Sequence, residues 1–208
     1  MTDDEAKAAL AADVSRETLE RLCVYADLLI KWQQKINLVS PMTIPAIWSR
    51  HMLDSAQLFK HAPSQAKRWL DLGSGGGFPG LVCAAIAHEH RPALHIALVE
   101  SDQRKATFLR EAARHMGLSV AVHGCRVAAL PPHAADIVSA RALAPLHDLC
   151  DMAHFHLAPN GICLFQKGAR HAEEVEIAKR GWHLDYKIFP SVTEPDAVVM
   201  RIERLLRA

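Results

Sequence analysis

From Val14 to Gln34 apolar residues return every three or four positions, at Leu19, Leu22, Cys23, Ala26, Leu29 and Ile30, the period of a helix with one buried face. A second helical stretch follows Thr43, which can cap it, with Ile47, Trp48, Met52, Leu58 and Phe59 as its buried stripe. The pattern then changes. Arg68–Leu72 reads as a strand, the run Gly73–Gly77 ends it, and Leu81, Val82, Ala85 and Ile86 mark the next helix. Leu94–Glu100 is a second strand. Ser101 can cap a helix carrying Ala106, Leu109, Ala113 and Met116, which Gly117 stops. Leu118–His123 and Asp136–Ala140 follow as the third and fourth strands. A helix from Pro145 to Leu157 leads through Pro159-Asn160-Gly161 into a fifth strand, Ile162–Gln166. After a helix over Ala172–Arg180, two strands near Leu184–Phe189 and Ala197–Glu203 close the chain without a helix between them.

Strands alternating with helices predict an α/β fold, a doubly wound and mostly parallel sheet covered on both faces. Seven strands are expected, the final one antiparallel because a loop joins the last two. Residues 1–66 read as an N-terminal helical extension and 67–208 as the ligand-binding core, together one compact domain. At 208 residues, half of them hydrophobic, the chain can bury a core of that size. No apolar run is long enough to span a bilayer, and the acidic, Ala-rich residues 1–10 lack a secretory pattern, so a cytoplasmic protein is expected. Five scattered cysteines without a C-x-x-C pair indicate neither a disulfide framework nor a zinc ribbon. The thirteen histidines form no H-E-x-x-H, and no metal site is expected.

Net charge is only +1, but it is unevenly spread. Lys31, Lys35, Arg50, Lys60, Lys67 and Arg68 stand against Asp54 alone between positions 31 and 68, whereas residues 1–30 are acidic. Such a run is either a solvated face or a seat for an anionic partner.

The candidate chemistry centres on Leu70-Asp71-Leu72-Gly73-Ser74-Gly75-Gly76-Gly77-Phe78-Pro79-Gly80, set between a strand and a helix, where doubly wound folds bind ligands. A dinucleotide fingerprint begun at Gly73 meets Phe78 where its last glycine should stand. A Walker A loop would need lysine where Leu81 follows Gly80. The pattern L-D-L-G-x-G-x-G instead resembles loops that cup the amino acid end of S-adenosylmethionine (SAM), with Asp71 near the ammonium. Glu100 ends the second strand, where an acid can accept both ribose hydroxyls of a nucleoside.

The acceptor is narrowed by what is missing. No cysteine adjoins a proline, as C5-pyrimidine methylation would want. The segment after the fourth strand, Ser139-Ala140-Arg141-Ala142, is not the Asp/Asn-Pro-Pro-aromatic run that accepts the protons of an exocyclic amine. An acceptor with a free lone pair, such as guanine N7, needs positioning and no general base. Arg141 and Lys167, at C-terminal strand ends, are the candidates for that positioning. A small-molecule methyltransferase, a non-catalytic SAM binder and an NAD-dependent dehydrogenase remain open on these residues alone.

Taken together, Lys31–Leu38, Arg50–Ser55, Leu70–Gly80, Val99–Ser101 with Lys105 and Phe108-Leu109, Ser139–Ala142 and Gln166–Gly168 resemble the RsmG (GidB) family of 16S ribosomal RNA guanine-N7 methyltransferases. The resemblance runs from Lys31 to the C-terminus. It implies a monomeric enzyme that methylates a guanine N7 in the decoding-region loop of 16S rRNA, in the RNA or in the small ribosomal subunit. It also implies SAM contacts at Gly73, Gly75, Phe78, the Val127-Ala128 backbone and Arg141, which Glu100 joins by the ribose argument. Relatives carry an acid just after the valine matching Val127, where this chain has Ala128 and Ala129, so adenine is left to backbone groups and apolar packing. Lys31, Lys35, Asn37, Arg50 and His51 become the expected seat for RNA phosphates. Arg50 and Asp54, four apart, could instead pair with each other, with Trp32 and Trp48 in the core.

Overall fold

The computed structural model describes residues 1–208. Its seven strands are β1 (Arg68–Leu72), β2 (His95–Val99), β3 (Ala121–His123), β4 (Ala135–Arg141), β5 (Leu157–Lys167), β6 (Trp182–Pro190) and β7 (Val198–Arg207). They form one sheet in the order β3-β2-β1-β4-β5-β7-β6. The first five are parallel, and β7 slots between β5 and β6, antiparallel to both. The order reverses between β1 and β4, so the carboxyl ends of β1, β2 and β4 flank a crevice.

Side chains alternate across the pleat into two cores. Trp69, Ile96, Leu98, Ile137 and Leu164 face one side, and Leu70, Leu72, Val99, Val138 and Phe165 the other. The first face has the larger cluster, because α1 (Asp3–Asp13) and α2 (Arg16–Gln33) add a layer there. The reason lies in α4 (Gly80–His90), which is buried on every side from Gly80 to Ala87. A helix that is apolar all round must be covered all round. The sheet covers one side, and α2 with the single turn α3 (Asp54–Ala56) covers the other. α5 (Gln103–His115), α6 (Leu146–His156) and α7 (His171–Ala178) complete the layers.

Several elements depart from expectation. α1 precedes the helix read from Val14; only Ala6 and Leu10 of it are buried, too sparse a stripe to see in the sequence. The helix expected after Thr43 is broken into 3-10 turns (Pro41–Ala46), a π-helical turn (Trp48–Leu53), α3 and a further 3-10 stretch (Gln57–His61). Pro41 and Pro45 remove amide donors from its first part. Thr43 does not cap it, because the hydroxyl donates back to the Ser40 carbonyl at 2.7 Å. Asp102, not Ser101, caps α5 by accepting from the amides of Arg104 and Lys105. β3 is only three residues long, whereas β5 begins at Leu157 with an irregular register. At that irregularity an added Cβ on Gly161 would lie 2.5 Å from the Ala135 carbonyl, so the close approach demands glycine.

Candidate functional site

A cleft of about 1630 Å³ opens over the carboxyl ends of β1, β2, β4 and β5. That exceeds the usual range for one small ligand and leaves room for a nucleoside and part of a second molecule. Its floor is the glycine loop. Gly73, Gly75 and Gly77 have φ of +64°, +56° and +101°, a region that side chains with a Cβ avoid. An alanine Cβ at Gly75 would meet no atom closer than 3.8 Å, so that glycine faces open cleft.

The loop is clamped from both sides. Glu100, buried at the end of β2, accepts from the Gly75 amide at 2.9 Å and from the Asp102 amide at 2.8 Å. Each oxygen keeps acceptor capacity for a ribose hydroxyl. Tyr25 of α2, wholly buried, donates its hydroxyl to the Gly76 carbonyl and packs on Phe78 at 5.2 Å between ring centroids. Sequence reasoning missed Tyr25, although it falls on the buried stripe of α2 where a polar tip is unusual.

Asp71 does not reach the cleft. Its side chain is wholly buried behind the loop, where it accepts from Ser139 Oγ at 2.6 Å, and Ser139 accepts from Trp69 Nε1 at 2.8 Å. Burial pushes this carboxyl up to about 6. In place of the expected position near the ammonium, direct or through water, the side chain faces the scaffold and ties β1 to β4, with Oδ2 left unpartnered.

Arg141 ends β4, and the next residue, Ala142, is forced to φ +51°. The guanidinium donates to the Arg50 carbonyl at 3.0 Å and to His51 Nδ1 at 2.9 Å, lies 3.6 Å from Asp54 Oδ2 and sits 4.9 Å above the Phe78 ring. An arginine can only donate, so His51 Nδ1 is a bare acceptor and Nε2 carries the proton. Nε2 donates to Thr43 Oγ1 at 2.8 Å. Asp54 gathers Gln57, Thr193 and Gln166 at 2.8, 2.9 and 2.6 Å, joining the N-terminal extension to β5 and to the β6–β7 loop. Burial dominates both members of the Arg141–Asp54 pair, lowering the guanidinium and raising the carboxyl against their mutual attraction.

Two expectations change here. His51 is buried inside this network and is stacked on Phe78, so it is no outward cation for phosphates. Arg50 pairs with Glu194 of the β6–β7 loop rather than with Asp54. Lys31, Lys35 and Asn37 do lie exposed. Lys167 lines the cleft but is buried, bonded to Glu174 at 2.5 Å and to the Ala144 carbonyl at 3.2 Å. Glu174 also accepts from the Leu146 amide at 2.8 Å, so Lys167 braces the β4–α6 turn. Val127 and Ala128 form a 3-10 turn on the cleft wall, with Leu143 and Met152 also lining it. Trp32 and Trp48 are partly buried against the core.

Burial, with Arg141 and Arg50 beside it, pulls His51 down from 6.5 to about 3. A depressed histidine favours its neutral form in the folded protein. Its contribution to stability is complete above 6.5 and falls away as pH drops toward 3. His51→Asn keeps an acceptor for Arg141 and cannot titrate. Urea unfolding across that window is expected to show a pH slope shallower by one proton, about 1.4 kcal/mol per pH unit. An unchanged slope would place the titration elsewhere.

Comparison with known proteins adds four findings. The family model described as "GidB: rRNA small subunit methyltransferase G" matches residues 18–200. A protein of Cereibacter sphaeroides named ribosomal RNA small subunit methyltransferase G is 54% identical over 205 residues, covering 99% of each chain. Among solved structures, the ribosomal protein L11 methylase of Lactobacillus delbrueckii subsp. bulgaricus shares the fold with a TM-score of 0.60 at 19% identity, covering 74% of this chain and 78% of its own. An O-methyltransferase of Bacillus cereus, solved with SAH, gives 0.57 at 11% identity, covering 86% and 90%.

Proposed function

The chain belongs to the ribosomal RNA small subunit methyltransferase G family, and from that premise we propose that it transfers a methyl group from SAM to N7 of a guanine in the decoding-region loop of 16S rRNA. When bound, SAM supplies a methyl carbon made electrophilic by its sulfonium. The residues present suit it. The Gly73–Phe78 loop offers a cradle that a Cβ at Gly75 would fill, and Glu100 has free lone pairs for the ribose. The Val127–Ala128 turn, Leu143 and Met152 give a half-apolar slot for adenine. No carboxylate follows Val127, so backbone groups are left to meet the adenine edge.

The observation that carries the choice of acceptor is the state of the acids in the cleft. Every carboxylate lining it already has partners: Asp54 with Gln166, Thr193 and Gln57, Glu100 with two amides, Asp151 with Arg207, Glu174 with Lys167, and Glu194 with Arg50. His51 uses both ring nitrogens. Glu100 keeps spare lone pairs for the ribose, and His156, also on the cleft wall, has an unpartnered Nδ1 that is wholly buried. No acid or base thus stands both exposed and unengaged for a general-base role. Guanine N7 attacks with a lone pair and surrenders no proton at the reacting atom, so the site needs only to hold it in line. Arg141, with N–H groups left over from its three partners, is placed to hold guanine O6 or the carboxylate of SAM. Around the rim Lys105, Arg126 and Arg170 line the cleft without an ion pair and, with Lys31 and Lys35 outside it, form the seat for phosphates.

The deciding experiment is methyl transfer from labelled SAM to small ribosomal subunits and to 16S rRNA that lack the modification, followed by mapping of the labelled base. Label at one guanine N7 of the decoding-region loop is expected. Label on another base, or SAM binding without transfer to RNA in any assembly state, would overturn the reading. No helix is long and apolar enough to cross a membrane.

A further inference from the structure

Resting on the RNA reading above, we propose that Phe155 is a stacking platform for an RNA base beside the methylated guanine. Phe155 lies in the last turn of α6 and lines the cleft with 51% of its surface in water. The side chains that line the inner slot behave differently. Val127, Leu143 and Met152 are partly buried against the core below them, whereas Phe155 is left half in water. It has one aromatic neighbour. Its edge meets the ring of His156 at 5.0 Å and 88°. His156 is wholly buried and is bonded through Nε2 to the Val127 carbonyl at 3.3 Å. A carbonyl can only accept, so Nε2 carries the proton, and α6 is tied to the turn that bears Arg126.

A half-exposed aromatic face and a guanidinium without an ion pair thus both line the cleft. That pairing is what a splayed nucleotide needs, a π surface for the base and a cation for the phosphate. The glycine loop lies at the bottom of the cleft, so a guanine reaching it must leave its own stack. Its neighbour then loses a stacking partner that Phe155 can replace.

The test compares wild type with Phe155→Ala, Phe155→Leu and Phe155→Trp. Affinity for 16S rRNA, kcat/KM for methyl transfer and the Kd for SAM are measured for each. Ala and Leu are expected to lose about tenfold in RNA affinity, as removal of a base–aromatic stack does. Trp is expected to restore it, with SAM affinity unchanged throughout. If Leu matches Phe, the contact is not stacking and the proposal fails. If SAM affinity falls while RNA affinity holds, the ring belongs to the cofactor slot and the proposal fails too. A wild-type protein that methylates no RNA would instead overturn the reading on which it rests.

Discussion

Gly77→Ala is expected to destabilise the fold by about 2–6 kcal/mol and to abolish SAM binding. Two costs add. The backbone there has φ +101°, where a residue with a Cβ is strained by roughly 1–3 kcal/mol. The new methyl would also stand 2.5 Å from the Tyr25 hydroxyl and 2.6 Å from Leu81 Cδ1, an overpacking of about 1–3 kcal/mol. Tyr25 is wholly buried and cannot swing away without giving up the Gly76 carbonyl. The total is a large share of the 5–15 kcal/mol that holds a domain together. Gly75→Ala is the informative control. Its φ is +56°, and no protein atom crowds the added carbon, so only about 1–2 kcal/mol of strain is expected. Its methyl projects into the cleft, and SAM binding should be lost from a folded protein. Urea unfolding and calorimetric titration with SAM separate the two. If Gly77→Ala melts within about 0.5 kcal/mol of wild type, Tyr25 does not clamp the loop.

What the sequence made legible was whatever has a period or a short-range signature. The alternation of strands with helices from Trp69 onward marks a mostly parallel sheet covered on both faces, and the glycine run marks the crevice. The run from Leu81 to Ala87 carried a further clue, since a helix without a polar side needs a cover that the sheet alone cannot supply. Contacts at long range were not legible. Whether Arg50 pairs with Asp54, four residues on, or with Glu194, far along the chain, depends on where the β6–β7 loop falls. His51 looked like one more cation in a basic run, because nothing local says that Arg141 and Phe78 will enclose it. Asp71 sits in the right motif, yet its strand direction turns the carboxylate into the sheet toward Ser139. Lys167 ends its strand on the expected rim, but Glu174, from the following helix, engages its charge.

Arg141 and Asp54 should prove strongly coupled, and removing either should damage the protein in a different way. Asp54→Ala leaves a buried guanidinium and the donors of Gln166, Thr193 and Gln57 without their acceptor. The expected cost is about 3–5 kcal/mol, the penalty of breaking a buried pair from one side. Arg141→Met frees Asp54 of its cation but leaves its other side-chain donors, Gln57, Gln166, Thr193 and Ser191, in place, so its stability loss should be smaller. Its loss of methyl transfer should be larger, about 100- to 1000-fold, as when a preorganised donor is deleted from an active site. Arg141→Lys should fare little better, since an ammonium cannot meet the Arg50 carbonyl, His51 and Asp54 in one plane while lying over Phe78. In the double variant Asp54→Ala, Arg141→Met no charge is stranded, and roughly 0.5–3 kcal/mol of the summed stability loss should return while activity stays lost. Strict additivity would mean that Asp54 acts on the fold through Gln166 and the β6–β7 loop alone. The N-terminal extension would then reach the arginine that ends β4 through the Arg50 carbonyl and His51, and not through Asp54.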